Sequence, residues 1–207
     1  TKIDQVVSHD SYLINLASPD TGNRDKSINL FRDELTRCEA LGIQNLVTHP
    51  GAHMKEGEAN GIKRVAQSLD DIHHDLPGLK VVTCLEVTAG QGTTLGYTFE
   101  HLKQIIEQCS DPSRLAVCLD TAHMLAAGYD LTSSKAAKAV VDELDQVLGL
   151  ERINAIHLND SKTALGSRVD RHEHIGHGHV SLDAFKVFVT KRAFAKIPKI
   201  LETAKED

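Results

Sequence analysis

Residues 166–179 read GSRVDRHEHIGHGH, placing four histidines and an aspartate in a short stretch of a chain that is acidic overall and poor in aromatic residues. Imidazole and carboxylate are ligands of divalent transition metals, so the stretch raises the question of a metal site. The same two chemistries recur elsewhere at regular places. Six apolar runs end in them: VVSH at His9, NLVTH at His49, VVTCLE at Glu86, VCLD at Asp120, INAIH at His157 and KILE at Glu202. One polar group at the end of an apolar run is ordinary, but six demand a common cause, because carboxylates and imidazoles buried together without a cation are costly. A mixed nitrogen and oxygen donor set without a cysteine cluster suits zinc, with manganese or iron as substitutes, better than calcium or magnesium.

Two smaller pieces extend the set. His123 follows Asp120 by three positions in LDTAH, and in an extended chain that spacing turns the side chains to opposite faces, so the pair would serve different cations. Asp170 and His172, two apart in DRH, share a face if the loop is extended, and with His123 they form a separate set. His174, His177 and His179, interleaved with Gly176 and Gly178, read as a solvated loop. His53, His73, His74 and His101 read as surface histidines. The glycine-rich AGQGTTLG at 89–96 follows a strand and precedes a helix, but it lacks a P-loop lysine and reads as a sharp turn rather than a phosphate cradle.

The elements that must position these groups alternate between strand and helix. Strands are predicted over 5–13, 43–49, 79–87, 115–120, 153–158 and 197–203. Helical faces follow at Ile28, Phe31, Leu35 and Cys38, at Phe99, Leu102, Ile106 and Cys109, and at Ala137, Val141, Leu144 and Leu148, with a weaker helix within 58–74. Gly42 and Gly149 stand where helices should stop, and Ser181 is a predicted N-cap for LDAFKVFVTKRAF. Repeated β-α units imply a parallel sheet, either open and doubly wound or part of a β/α barrel, whose strands deliver their C-terminal ends to one mouth. Periodicity alone does not choose between the two.

At 207 residues and 41% hydrophobic content the chain reads as one soluble domain. It shows no secretory signal and no apolar run of membrane-spanning length, so an intracellular protein without a membrane partner is expected. Cys38, Cys84, Cys109 and Cys118 lie in apolar periodic segments and read as small buried hydrophobes. A net charge of −6 argues against nucleic-acid binding through Lys and Arg alone. Bound divalent cations would reverse that sign locally, and Lys55, Lys162, Arg168 and Arg171 could add contacts to a phosphate backbone.

HDSYLINLASP, HPGAH, LEVTAGQGTTLGYTFEHL, VCLDTAHMLAAGYDL, HLNDSKTALGSRVDRH and LET occur in an order and at a spacing that resemble the endonuclease IV family of apurinic/apyrimidinic DNA repair nucleases. The resemblance implies a TIM-type β/α barrel with three zinc ions. His9, His49 and Glu86 would hold one; Glu86 would bridge to a second held by Asp120, His157 and Glu202; His123, Asp170 and His172 would hold the third. It also implies catalytic roles for Glu86 and Glu202, a DNA contact for Tyr12, and a monomer acting on double-stranded DNA that contains abasic sites. The implied reaction is hydrolysis 5′ to the abasic site, with removal of 3′ blocking groups.

Family chains begin with two further β-α units, so this one is expected to supply strands three to eight of eight, a single domain over 1–207 incomplete at both ends. The compartment would be the cytoplasm of a bacterium or a eukaryotic nucleus or mitochondrion. A metal-dependent sugar isomerase or epimerase on a related barrel, and an inactive metal-binding fragment, are the alternatives.

Overall fold

A computed structural model describes residues 5–204. Six parallel strands form one curled sheet in the order β1 (Val7–His9), β2 (Asn45–Thr48), β3 (Val82–Glu86), β4 (Leu115–Asp120), β5 (Ile153–His157) and β8 (Lys199–Ile200). The helices between them, α1 (Thr21–Leu41), α2 (Glu58–Asp75), α3 (Phe99–Gln108), α4 (Thr121–Ala127), α5 (Ser134–Val147) and α6 (Leu182–Thr190), complete β-α units of the kind that build barrels. A short antiparallel ribbon, β6 (Asp160–Ser161) with β7 (His172–Glu173), leaves this framework between β5 and α6.

Side chains on a strand alternate between faces, and here the alternation has chemical content. Leu46, Leu85, Val117, Leu119 and Ile156 join the large core shared with the helices. Val47, Cys84, Ala116, Cys118 and Ala155, with Val7 and Val82 against them, form a small cluster on the concave side. Two positions beyond a concave-side residue the same face comes round again: Val7 leads to His9, Val47 to His49, Cys84 to Glu86, Cys118 to Asp120 and Ala155 to His157. Period two thus aims the metal-capable side chains into one mouth.

The helices begin and end where local chemistry dictates. Asp20, Thr98, Ser133 and Ser181 cap α1, α3, α5 and α6 by accepting a backbone N–H of the first turn. Gly42 ends α1 with φ 71°, a left-handed conformation that costs a glycine little. The buried face of α1 carries the predicted Ile28, Phe31, Leu35 and Cys38. All four cysteines are free and buried. Among the described residues no helix is long and apolar enough to cross a membrane.

Four expectations need correction. The first, second, third and last strands are shorter than predicted, so His49 and Glu202 lie just past β2 and β8 rather than on them. At His49 the reason is Pro50, which supplies no N–H and restricts the residue before it. The LDTAH segment is not extended: α4 starts at Thr121, with the Asp120 side chain accepting from His123 N at 2.8 Å. The segment after Ser181 is helical only to Thr190, followed by a single 3-10 turn at Arg192–Phe194. Finally, His73 and His101 are buried, each about 7% exposed. His73 lies on the inner face of α2 with Nε2 3.4 Å from Thr83 Oγ1, and His101 Nδ1 accepts from Gly96 N at 3.4 Å, tying α3 to the glycine-rich loop.

Candidate metal centre

Glu86 is the hub. It ends β3 at 1% exposure, and its two oxygens face different partners. Oε2 lies 2.9 Å from His9 Nε2 and 3.1 Å from His49 Nε2; Oε1 lies 2.8 Å from His157 Nδ1. His157 Nδ1 is in turn 3.1 Å from Glu202 Oε2 and 3.9 Å from Asp120 Oδ2. On the far side, His123 Nε2 lies 3.1 Å from Asp170 Oδ2 and 3.3 Å from His172 Nε2, while His172 Nε2 and Asp170 Oδ1 are 3.4 Å apart. All nine residues singled out in the sequence therefore reach one mouth, most of them around a cavity of about 580 Å³.

Three donor groups emerge in which every ligand atom lies within 4.8 Å of the others: His9, His49 and Glu86; Glu86, Asp120, His157 and Glu202; Asp120, His123 and His172. Asp120 belongs to two of them, being 3.6 Å from His172 Nε2. The extended-chain reason for parting Asp120 from His123 is thereby overturned, since a helical turn brings them to the same side. A further group joins Cys118 to Glu86 and His157, a buried thiol beneath the mouth that spacing alone did not flag.

Electrostatics test whether these residues suit cations. Burial disfavours a charged imidazole, yet the Asp10 and Glu86 carboxylates push His9 up to about 11. Burial is likewise outweighed at His123, which Asp120, Asp170 and Glu86 push up to about 10, and at His157, raised by Cys118, Glu202 and Glu86. Glu86 is held well below the carboxylate range because His49, His157 and His9 overcome its burial. The mouth carries carboxylate charge that draws positive charge inward, as protons or as divalent ions. The facing Nε2 atoms of His123 and His172, with Asp170 oxygens beside both, converge as lone pairs on a cation would.

Outer partners fix the rings. His123 Nδ1 donates to the Val87 carbonyl at 3.0 Å, leaving Nε2 for the mouth. His9 Nδ1 faces the Asp10 carbonyl at 3.0 Å, and Thr48 Oγ1 donates to Asp10 Oδ2 at 2.6 Å. Asn159, fully buried, donates from Nδ2 to Asp120 Oδ2 at 2.7 Å and to Glu202 Oε2 at 3.1 Å, and its Oδ1 accepts from Glu202 N at 2.8 Å. Gln91 Oε1 accepts from Asp170 N at 3.0 Å, which gives the AGQGTTLG turn a second task. Asp10, Gln91 and Asn159 escaped notice in the sequence because a neutral or single polar residue after a strand carries no signal of what it touches. Tyr12 stands on the rim at 93% exposure. His174, His177 and His179 enter none of the donor groups.

Residues 2–207 match the xylose isomerase-like TIM barrel family. "Probable endonuclease 4" of Geotalea daltonii is 50% identical over 205 residues, which span 99% of this chain and 72% of that one. The chain belongs to the endonuclease IV family. "Probable endonuclease 4" of Chloroflexus aggregans shows the same identity and coverage. The crystal structure of endonuclease IV from Thermus thermophilus superposes with a TM-score of 0.84 at 34% identity, covering 98% of this chain and 70% of that structure. A D-tagatose 3-epimerase-like protein superposes at 0.74 with 20% identity, a likeness of fold alone. Family membership settles the choice left open by periodicity: the curled sheet is six strands of a TIM-type barrel, not an open doubly wound sheet.

Proposed function

We propose that this chain is a zinc-dependent DNA repair endonuclease that hydrolyses the phosphodiester 5′ to an abasic site, leaving a 3′-hydroxyl and a 5′-deoxyribose phosphate, and that also removes 3′ blocking groups. The observation that carries the reading is Glu86, whose two oxygens face separate imidazole sets in a chain half identical to proteins named as endonuclease 4. A carboxylate so placed fits a bridge between two cations. His9, His49 and Glu86 would hold one zinc, and Glu86, Asp120, His157 and Glu202 a second; His123 and His172 would hold a third with Asp170, which lies outside the tight donor groups but 3.1 Å from His123 and 3.4 Å from His172, and with Asp120 close enough to support it.

Zinc bound there would supply Lewis acidity, easing the deprotonation of water near neutral pH and offsetting charge on phosphate. The protein's own groups do the rest. Glu202, the mouth carboxylate with its side chain 31% exposed, can orient an incoming water and accept its proton, while Asn159 keeps it aligned with Asp120. Tyr12 offers an exposed aromatic face to an unstacked strand, and the exposed Arg168 and Arg171 offer charge to phosphates. The chain would work as a monomer.

The test is incision of a duplex holding one abasic site, before and after chelation and with zinc restored. Incision that disappears with chelation and returns with zinc supports the reading. Epimerisation of a ketose with a single tightly held ion, and no incision in any metal state, would replace it with the sugar-epimerase alternative.

A further inference from the structure

The strap between β5 and α6 carries Asp170 and His172 yet pairs with no strand of the barrel sheet. Its ribbon is two residues long on each side, with Asp160 opposite Glu173 and Ser161 opposite His172. A two-residue ribbon does not hold itself, so something else must set the height and direction of His172.

Backbone bonds from Lys162 N to the Arg171 carbonyl at 2.9 Å and from Arg168 N to the Ala126 carbonyl at 3.0 Å hold the near side, and the side beyond His172 is held by Asp160. It is fully buried, and its carboxylate accepts four backbone N–H groups: Ser161 at 2.7 Å and Val180 at 2.8 Å on Oδ1, Gly176 and Gly178 at 2.9 Å each on Oδ2. Hydrogen bonds to a carboxylate are the strong kind, and four of them offset the cost of burying it. The loop is shaped to this anion. A Cβ on Gly178 would fall within 2.4 Å of Asp160 Oδ1, so no side chain fits there, while His179 N donates to the Ser161 carbonyl at 2.9 Å. The amides used, 176, 178 and 180, alternate along IGHGHV. The interleaving of glycine and histidine thus serves backbone donation, with the imidazoles of His177 and His179 turned to solvent.

We infer that Asp160 is a positioning residue: the segment 174–180 folds around its carboxylate, and that fold holds His172 and Asp170 against His123. The role rests on reading those three as a cation site. Asp160 contributes no atom to the donor groups and acts only through the strap. Gln91, on Asp170 N, and Thr163 Oγ1, which donates to the Val169 carbonyl at 2.9 Å, are further fastenings.

Two measurements on the full chain separate the possibilities. Zinc per chain is counted after loading with zinc alone and gel filtration, and tryptic cleavage after Lys162, Arg168 and Arg171 is timed on the metal-free chain. In Asp160→Ala, zinc should fall from about three to about two ions, the floor of the mouth keeping its share. Strap cleavage should accelerate about tenfold or more, as local opening replaces four lost hydrogen bonds. Asp160→Asn, which keeps one acceptor oxygen, should fall between. A role in general stability would instead lower all the zinc together with the helical circular dichroism.

Gly178→Ala separates the loop from the anion without removing charge, and should reproduce the loss of one ion and the faster cleavage even if Asp160→Ala fails to fold. Parental zinc content and parental cleavage in Gly178→Ala, or in a folded Asp160→Ala, overturn the inference. If the parent itself binds fewer than about three ions, while cleavage still depends on Asp160, the anchor stands and the three-cation reading falls.

Discussion

The floor of the mouth and the strap over it present the same chemistry by different means. Glu86, Asp120 and His157 sit at the ends of adjacent strands, with Asp120 in register with His157 and Glu86 with Cys118, and all are essentially inaccessible. Their positions follow from a backbone ladder that leaves them little freedom. Asp170 and His172 hang on a loop with side chains 40% and 20% exposed, and what keeps them in place is hydrogen bonding within and around that loop, with the buried Asp160 carboxylate and Gln91 among the anchors. The contrast lies in the backbone: strand ends bring their donors together through the sheet ladder, with polar partners such as Asn159 aligning the side chains, whereas the loop needs polar anchors for its backbone as well.

Variants should divide along this line. Glu86→Gln strikes the floor where its donor sets meet. Incision of abasic DNA should fall by at least about 10³-fold, the upper scale for removing a preorganised electrostatic group, and zinc content should drop with it. Turnover near the parental rate would break the idea that the floor is the chemical centre. His172→Ala strikes the strap alone. It should cost about one zinc ion and about 10²-fold in rate, the scale of losing a Lewis-acidic centre worth a few kcal/mol, with the fold intact. If it emptied the whole mouth, floor and strap would be one unit.

Asn159→Ala leaves every candidate ligand present and removes only the clamp between Asp120 and Glu202. A loss of about 10- to 100-fold in zinc affinity or rate is expected, the usual scale for outer-shell partners.

His73 sharpens the comparison with the smallest effect, because it is a buried histidine whose neighbouring carboxylates, Asp70 and Asp111, do not outweigh its burial. Burial, helped by Arg114, pushes it down to about 4. The folded chain therefore binds fewer protons than the unfolded one between about 6.5 and 4, and the stability this residue allows, full above 6.5, is lost as pH falls through that window. His73→Leu should shrink the loss of stability between pH 7 and pH 5 by about 2 kcal/mol in urea titrations, with incision at neutral pH unchanged. An unchanged acid sensitivity would mean that His73 is neither desolvated nor neutral in the fold.

Much of this was legible in the chain itself. The order of the six strands, the ends of four of them at His9, Glu86, Asp120 and His157, the helix cap at Ser181 and the glycine stop at position 42 all follow from local patterns. The misreadings share a cause. LDTAH looks extended because five residues hold too little periodicity to reveal a helix, yet Asp120 is its N-cap. His73 and His101 look like surface histidines because a helix face is chosen by what packs on it, and α2 and α3 turn those rings inward.

The sequence by itself determined the alternation on each strand, and so which side chains leave the sheet on its concave side, because period two is a property of every extended backbone. Only the tertiary structure decided which donors meet. His9 and Glu202 stand at opposite ends of the chain, Asp120 falls between two donor groups, and Asn159 and Asp160, adjacent in sequence, serve the floor and the strap in turn. Those pairings depend on the order and curl of six strands and on where a loop returns, distances that no local pattern encodes.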